Sequence, residues 1–338
     1  MNKKTSNGVK IAINGFGRIG RIFFRSVFAK ASTDAADLEI VAVNDLGNKE
    51  NLLYLLKNDS VYGRFELPEK KLDKIKFLQE KDPANLPWKD LGVDVVVEST
   101  GVFASYERAE PHLKAGAKRV VITAPAKDEE TNTFTPNLAG DFTSYGKITS
   151  NASCTTNAVT PVAAIMLKNP GIKKAVLNTV HGYTASQFLV DGPMEKDFRR
   201  GRAGAVNIVP SHTGAAVAAE KTIPSLKGKF DGVAMRVPVI AGSIIDFTFV
   251  SARKTSVEEI NDIFRAESEK PEWRDIIKVT EEPLVSTDIL GEPYGSIVDL
   301  NFTRVVDGDL VKIFSWYDNE WGYCAMLIKH IKTLKDYL

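Results

Sequence analysis

Val9-Lys10-Ile11-Ala12-Ile13-Asn14 runs directly into Gly15-Phe16-Gly17-Arg18-Ile19-Gly20, and the reading of this stretch decides the fold. The first six residues form a short apolar strand. A helical stretch follows from Arg21 to about Lys30, and Leu38-Glu39-Ile40-Val41-Ala42-Val43-Asn44 is a second strand. Strand, glycine turn, helix and strand in this order make a βαβ unit, whose crossover leaves the two strands parallel. A G-x-G-x-x-G run alone is a weak signal. Placed between a strand and a helix, with Asp45 closing the second strand, it becomes a dinucleotide fingerprint. Gly15 permits the tight turn, Gly17 lets backbone approach a pyrophosphate, and Gly20 lets helix and strand pack closely. Asp45 is placed to accept hydrogen bonds from the adenosine ribose and would repel a 2′-phosphate, which favours NAD. NADP, with Lys49 as phosphate partner, is the second choice. The alternative is a glycine turn with a solvated aspartate.

Val93 to Glu98 and Arg119 to Thr123 read as further strands of the same Rossmann-type parallel sheet, with a helix from Tyr106 to Ala115 stopped by Gly116. Beyond residue 154 the pattern changes. Lys174–Val180, Gly232–Val239, Ser243–Ala252, Ile297–Thr303 and Leu310–Trp316 read as strands of a largely antiparallel sheet. Helices are expected at Ala215–Lys221, Val257–Glu269 and about Gly322–Leu338, which makes the second domain α+β. The stretch from Gly182 to Arg202 has no sustained period, and loops of that length in compact domains are usually functional.

The chain has 338 residues, 43% hydrophobic and 26% charged, enough for two domains with separate cores. A formal net charge of +1 argues against a nucleic-acid or membrane surface. Met1 to Lys10 holds no apolar stretch of signal-peptide length, and no run approaches the ~20 apolar residues of a membrane span. A soluble cytoplasmic protein is expected. Two cysteines, Cys154 and Cys324, suit free thiols in a reducing compartment. No metal-ligand cluster is read from the sequence.

Cys154 lies in Ser150-Asn151-Ala152-Ser153-Cys154-Thr155-Thr156-Asn157, a small polar octet between the strand end Gly146–Thr149 and a helix from Thr155 to Lys168. A thiol at a helix start meets unpaired amide N–H groups and the positive end of the dipole. Both should lower its pKa and favour the nucleophilic thiolate. The same octet also reads as a capping turn with an incidental cysteine. His181 follows directly on the strand Lys174–Val180. The helix rises ~21 Å at ~1.5 Å per residue, and the return segment Ile172–Val180 covers about 25 to 30 Å at ~3.3 Å per residue. Packed antiparallel, the two lengths nearly cancel and bring His181 back to the level of Cys154, with Pro161 expected to kink the helix. Histidine could then deprotonate the thiol. In a dinucleotide-binding chain this pair selects a reaction. Thiolate adds to an aldehyde, the tetrahedral carbon loses hydride to nicotinamide, and the resulting thioester is cleaved by phosphate, with His181 supporting the oxyanion.

Three candidate anion sites accompany the pair. Thr213-Gly214-Ala215-Ala216 opens a helix, and Arg236 interrupts an apolar strand where an unpaired charge is costly. The long loop carries Arg199, Arg200 and Arg202, which could fork onto phosphate or cover a subunit face.

Ile13 to Arg21, Val43-Asn44-Asp45-Leu46, Glu98-Ser99-Thr100-Gly101, Ser150 to Asn157, Thr213 to Ala216, Arg236-Val237-Pro238 and Trp316-Tyr317-Asp318-Asn319-Glu320 together resemble the phosphorylating glyceraldehyde-3-phosphate dehydrogenases along nearly the whole chain. The resemblance implies Cys154 as nucleophile and His181 as its activator. It assigns Ser153, Thr155, Thr184, Arg199, Thr213, Gly214 and Arg236 to two phosphate sites, and Arg18, Ile19, Asp45, Thr123 and Asn319 to cofactor contacts beside the three glycines. The implied organisation is an NAD-binding domain over 1–153, completed by a C-terminal helix at 319–338, and a catalytic domain over 154–318. The implied partners are glyceraldehyde 3-phosphate, inorganic phosphate and three further copies in a homotetramer, with the long loop near subunit interfaces. Ala158 stands where the family commonly has a second cysteine. His212 replaces a small residue beside Thr213, where it would make phosphate affinity depend on pH near neutrality. Val239-Ile240-Ala241-Gly242 and Gly192 also depart from the pattern. Erythrose-4-phosphate dehydrogenase and a non-catalytic dinucleotide-binding protein are the competing readings.

Overall fold

The computed structural model describes residues 8–29, 35–138 and 146–338. Met1 to Asn7 and Lys30, used in the sequence reading, lie outside them. The described residues divide into two compact units: the first takes those up to 134, 146–152 and 327–338, the second 135–138 and 153–326.

In the first unit the order is β1 (Val9–Asn14), α1 (Arg18–Phe28), β2 (Leu38–Asn44), α2 (Lys49–Lys57), a ribbon of β3 (Asn58–Asp59) and β4 (Gly63–Arg64), α3 (Glu69–Leu72), β5 (Lys76–Leu78), α4 (Trp88–Leu91), β6 (Val95–Glu98), α5 (Tyr106–Lys114), β7 (Arg119–Ile122), β8 (Asn132–Thr133) and β9 (Ile148–Ser150). The sheet runs β5-β2-β1-β6-β7-β9-β8 and is parallel throughout. Its order reverses between β1 and β6, the switch point outside whose carboxyl ends α/β sheets bind ligands. Ala12, Val96, Val120, Ile148 and Trp88 are buried in one apolar cluster. The near-continuous β-branched runs suit strands covered on both faces. Helix α1 starts at Arg18, three residues earlier than the periodicity predicts. Gly20 sits inside it because a side chain there would meet the Gly15 carbonyl at 2.2 Å.

The second unit continues with α6 (Cys154–Lys168), β10 (Ile172–Gly182), β11 (Val209–His212), α7 (Ala215–Thr222), β12 (Phe230–Val237), β13 (Ser243–Ser251), α8 (Val257–Ser268), β14 (Ile277–Thr280), β15 (Ser296–Val306), β16 (Leu310–Tyr317) and α9 (Trp321–Leu334), whose last turns belong to the first unit. Its sheet runs β11-β12-β10-β13-β16-β15-β14. It is largely antiparallel, as expected, but β10 pairs with β12 and β14 with β15 in parallel. Strand β10 alternates buried and accessible residues along its middle, and its buried Ala175 and Leu177 share one apolar cluster with Val159, Ile165, Phe247 and Phe264. It extends beyond Val180 because the ladder with β13 holds it to His181 and that with β12 to Gly182, so His181 lies within the strand rather than after it. The turn between α6 and β10 needs Gly171, at φ +88 with Ala252 Cβ 2.7 Å from where a side chain would begin. The segment 183–208 has neither helix nor strand. Among the described residues no helix is long and apolar enough to cross a membrane.

Candidate active site

The first unit builds a cradle at the glycine turn. Gly15 has φ +93, and a side chain on it would meet the Thr100 amide at 2.6 Å. Gly17 caps α1 and faces open space, with no acidic residue in the first helical turn. That leaves a helix N-terminus open to an anion. A cavity of about 790 Å³ is lined by Gly15, Gly17, Asn44, Asp45, Glu80 and Thr100, among others. The residues present therefore fit a dinucleotide. Asp45 has a task that the sequence did not disclose: Oδ2 accepts the Phe16 N–H at 2.6 Å and Oδ1 the Gly47 N–H at 2.7 Å, which ties the glycine turn to the end of β2. Arg18 pairs with Asp59 at 2.6 Å, Ile19 is half-buried in the first turn, and the Thr123 hydroxyl donates to the Glu98 carbonyl. Lys49 lies over the Phe77 ring.

Beneath the cavity runs a buried polar chain whose direction is fixed. Trp88 Nε1–H can only donate, so His112 Nδ1 accepts it at 3.0 Å and the ring proton sits on Nε2. That proton goes to Glu98 Oε2 at 3.1 Å, beside the Asn14 amide at 2.6 Å. Glu98 Oε1 takes the Thr100 amide and hydroxyl. Asn44 donates to Asn14 Oδ1 and accepts the Glu80 N–H. A carboxylate only 2% exposed thus has four donors and, among the described residues, no lysine or arginine bonded to it.

In the second unit Ser153 caps α6, its hydroxyl accepting the Thr156 N–H, so Cys154 is the first helical residue. Ala152, just before the cap, takes a left-handed φ of 53, a costly conformation for a residue with a Cβ. Sheet register assembles the rest. His181 lies opposite Arg236 on one side and Ser243 on the other, and Ser243 lies opposite Tyr317. Residues opposed on neighbouring strands share a face. Cys154 Sγ is 3.4 Å from His181 Nε2. His181 Nδ1 is 2.6 Å from the Gly182 carbonyl and 2.5 Å from Arg236 Nη1. Tyr317 stands edge-on to the imidazole, its hydroxyl bonded to Thr155 and Thr179 at 2.8 Å each.

Burial pushes the Cys154 thiol up. Arg236, the Thr155 hydroxyl and the amides of Thr155 and Cys154 pull the other way. The expectation that the helix start lowers the thiol pKa is thus corrected: the amides act in that direction, and desolvation outweighs them. His181 is held down to about 3, by burial first and then by the Arg236 charge, with Arg200 adding to it. Burial also raises Tyr317, which stays protonated.

The structure joins Cys154, His181, Thr155 and Arg236 through these contacts. Of the loop arginines, Arg200 is the one whose charge bears on both His181 and Arg236, whereas Arg199 is exposed. Thr184 bonds Ser186, and the Thr213 hydroxyl accepts the Ala215 amide at the open start of α7, where Gly214 is exposed. Asn319 is buried, its Oδ1 accepting from the Gly242 amide and the Ser243 hydroxyl. Gly192 packs where a side chain would strike the Phe188 ring, so its small size has a local cause. Ala158 is fully buried in the core of the second unit.

Two family models match this chain: the glyceraldehyde 3-phosphate dehydrogenase NAD binding domain over residues 9–106 and the C-terminal domain of the same family over residues 153–319. The chain belongs to the glyceraldehyde-3-phosphate dehydrogenase family. It is 46% identical over 330 residues to the glyceraldehyde-3-phosphate dehydrogenase of Mycobacterium avium, covering 95% of this chain and 96% of that one. It is 47% identical over 332 residues to that of Mycolicibacterium smegmatis, covering 94% and 96%. For that of Zymomonas mobilis the figures are 43% over 329 residues, 95% and 96%. The NAD binding domain of the family thus coincides with the glycine cradle, and its C-terminal domain with the sheet that carries His181 and Arg236.

Proposed function

We propose that this chain is an NAD-dependent glyceraldehyde-3-phosphate dehydrogenase that works by phosphorolysis of a cysteine thioester. The observation that carries the reading is Cys154 Sγ at 3.4 Å from His181 Nε2, with Arg236 beside the imidazole. His181 takes the thiol proton as sulfur adds to the aldehyde carbon. The imidazolium Nε2–H and the amides at the start of α6 then hold the oxyanion. NAD, held by Gly15, Gly17, Arg18, Ile19, Gly20 and Asp45, with Thr123 and Asn319, supplies the two-electron oxidant when bound. The thioester left on Cys154 is attacked by an oxygen of inorganic phosphate, the C–S bond breaks, and 1,3-bisphosphoglycerate leaves with the thiolate restored. Arg236, Thr184, Ser153, Thr155, Thr213, Gly214 and Arg199 serve the two phosphates, and Arg200 joins them because its charge reaches the centre.

Reduced cofactor formation from glyceraldehyde 3-phosphate, with and without inorganic phosphate, tests this. Turnover should require phosphate, and Cys154→Ser should lower it by about 10⁴-fold or more. Equal rates without phosphate, or a preference for erythrose 4-phosphate, would replace the assignment. We further propose a cytoplasmic homotetramer. Phe188, Leu189, Val190, Phe198, Val206 and Ile208 are exposed on the segment 183–208, an apolar surface that a subunit contact would cover. Light scattering giving a monomer mass would reject the tetramer.

A further inference from the structure

Asn319 is only 6% exposed, yet its side-chain amide is used at one end alone. Oδ1 accepts the Gly242 N–H at 3.0 Å and the Ser243 hydroxyl at 3.1 Å. Among the described residues no acceptor meets the two protons on Nδ2. Buried polar groups are nearly always hydrogen-bonded, so a donor left over at this depth points to a ligand.

Which end of an amide faces which neighbour is decided by its hydrogen bonds, and here they leave no choice. A backbone N–H can only donate, so Gly242 fixes the oxygen on its own side. Gly242 has φ +88, and a side chain there would meet the Ser286 carbonyl at 2.5 Å. The turn at Val239 to Gly242, where the chain departs from the family pattern, thus needs glycine at its last position.

Ser243 is 2% exposed and constrained from both sides. Its Oγ accepts the Gly182 N–H at 3.3 Å, and its single proton goes to Asn319 Oδ1. The relay therefore has one polarity, from the Gly182 amide through the Ser243 hydroxyl to the Asn319 oxygen. Register puts Ser243 where it is needed. It lies opposite His181 in β10 and opposite Tyr317 in β16, two residues before Asn319.

We propose that Ser243 is a positioning residue for the nicotinamide: by holding Asn319 Oδ1, it leaves Nδ2–H as the end presented to the cofactor, which selects the carbonyl oxygen of the carboxamide as its partner. The proposal rests on the assignment of Asn319 to the cofactor made above. Ser243 acts through Asn319, and because its hydroxyl also takes the N–H of the peptide joining His181 to Gly182, the cofactor's amide partner and the base are anchored to the same pair of strands.

The test compares NAD with ADP-ribose, the same molecule without its nicotinamide, by calorimetric titration of the full-length protein. Ser243→Ala should raise the Kd for NAD by about three- to tenfold, the worth of one hydrogen bond, with ADP-ribose little changed. In an Asn319→Ala background, which should itself weaken NAD and spare ADP-ribose, adding Ser243→Ala should cost nothing further, since the hydroxyl has lost the group that it holds. Asn319→Asp keeps the shape and replaces the Nδ2 donor with an acceptor. It should weaken 3-acetylpyridine adenine dinucleotide, which offers a carbonyl and no amide N–H, more than NAD, whose carboxamide can turn. Equal weakening of NAD and ADP-ribose by Ser243→Ala overturns the proposal, as does a further loss in the double variant or an Asn319→Asp protein that keeps the wild-type ratio of affinities for the acetyl analogue and NAD. Turnover of glyceraldehyde 3-phosphate by the wild-type preparation keeps the two readings apart: turnover with any of these three results removes only the role of Ser243, while no turnover removes the assigned function.

Discussion

The polar groups of the two units are organised on opposite plans. From Trp88 through His112, Glu98 and Asn14 to Asn44, the Trp88 N–H sets the order of donors and acceptors beneath the cofactor cavity, with the Asn14 amide also 3.3 Å from His112 Nε2. Around His181 the count does not close: a carbonyl and a guanidinium claim the same ring nitrogen, and the thiol opposite is desolvated. A frame that must bind one shape benefits from having every hydrogen bond fixed. A centre that must move a proton needs one left undecided.

Substitutions can separate the two plans. The largest effect is expected at His181→Asn, which should reduce kcat by about 10²–10⁴-fold through loss of the base while NAD affinity, measured by fluorescence titration, stays unchanged. A parallel loss of NAD binding would mean that the units are not functionally distinct. Gly15→Ala reverses the pattern, since a Cβ at φ +93 strikes the Thr100 amide. Strain of about 1–3 kcal/mol should weaken NAD binding, with kcat at saturating NAD little altered.

Next comes His112→Phe, which keeps the ring volume but orphans the Trp88 N–H and removes one donor from Glu98. It should cost about 1–3 kcal/mol and raise the Kd for NAD, while His112→Gln, with both a donor and an acceptor, restores much of the loss. A fall in melting temperature with unchanged Kd would show that the chain supports the fold and not the cavity.

The smallest effect concerns acid. His330, on the part of α9 in the first unit, is buried between Thr149 and Asn151 and held down to about 3 by desolvation. Its folded form is neutral, whereas the unfolded chain gains a proton below about pH 6.5, so stability is lost as pH falls, by about 2 kcal/mol between pH 7 and 5. His330→Leu should be less stable at pH 7, because Thr149 and Asn151 lose their partner, yet show a smaller drop to pH 5. Urea midpoints at equal protein concentration would check this, and an unchanged drop would sink it.

Much of this was legible in the sequence wherever meaning lay in neighbouring residues. The strand-turn-helix of Val9 to Gly20 and the small polar octet around Cys154 declare themselves locally, and matched lengths of α6 and β10 bring His181 within reach. Contacts made by register were not legible. His181 and Arg236 meet because β10 and β12 run parallel across 55 positions, in a sheet whose strands read as antiparallel. Likewise Tyr317 reaches Thr155 and Thr179, and His112 reaches Trp88, through tertiary packing that no period encodes. The net rise of the thiol pKa was missed for a related reason: helix ends are visible in sequence, and burial is not.

The pairing of β12 with β10 also bears on which changes of chain length the protein can survive. Side chains alternate faces along a strand, so adding one residue between Phe230 and Met235 would bring Met235 opposite His181, and deleting one would bring Val237. Either way the guanidinium would turn to the other face of the sheet. Over this short strand, single-residue insertions and deletions should yield folded but inactive descendants.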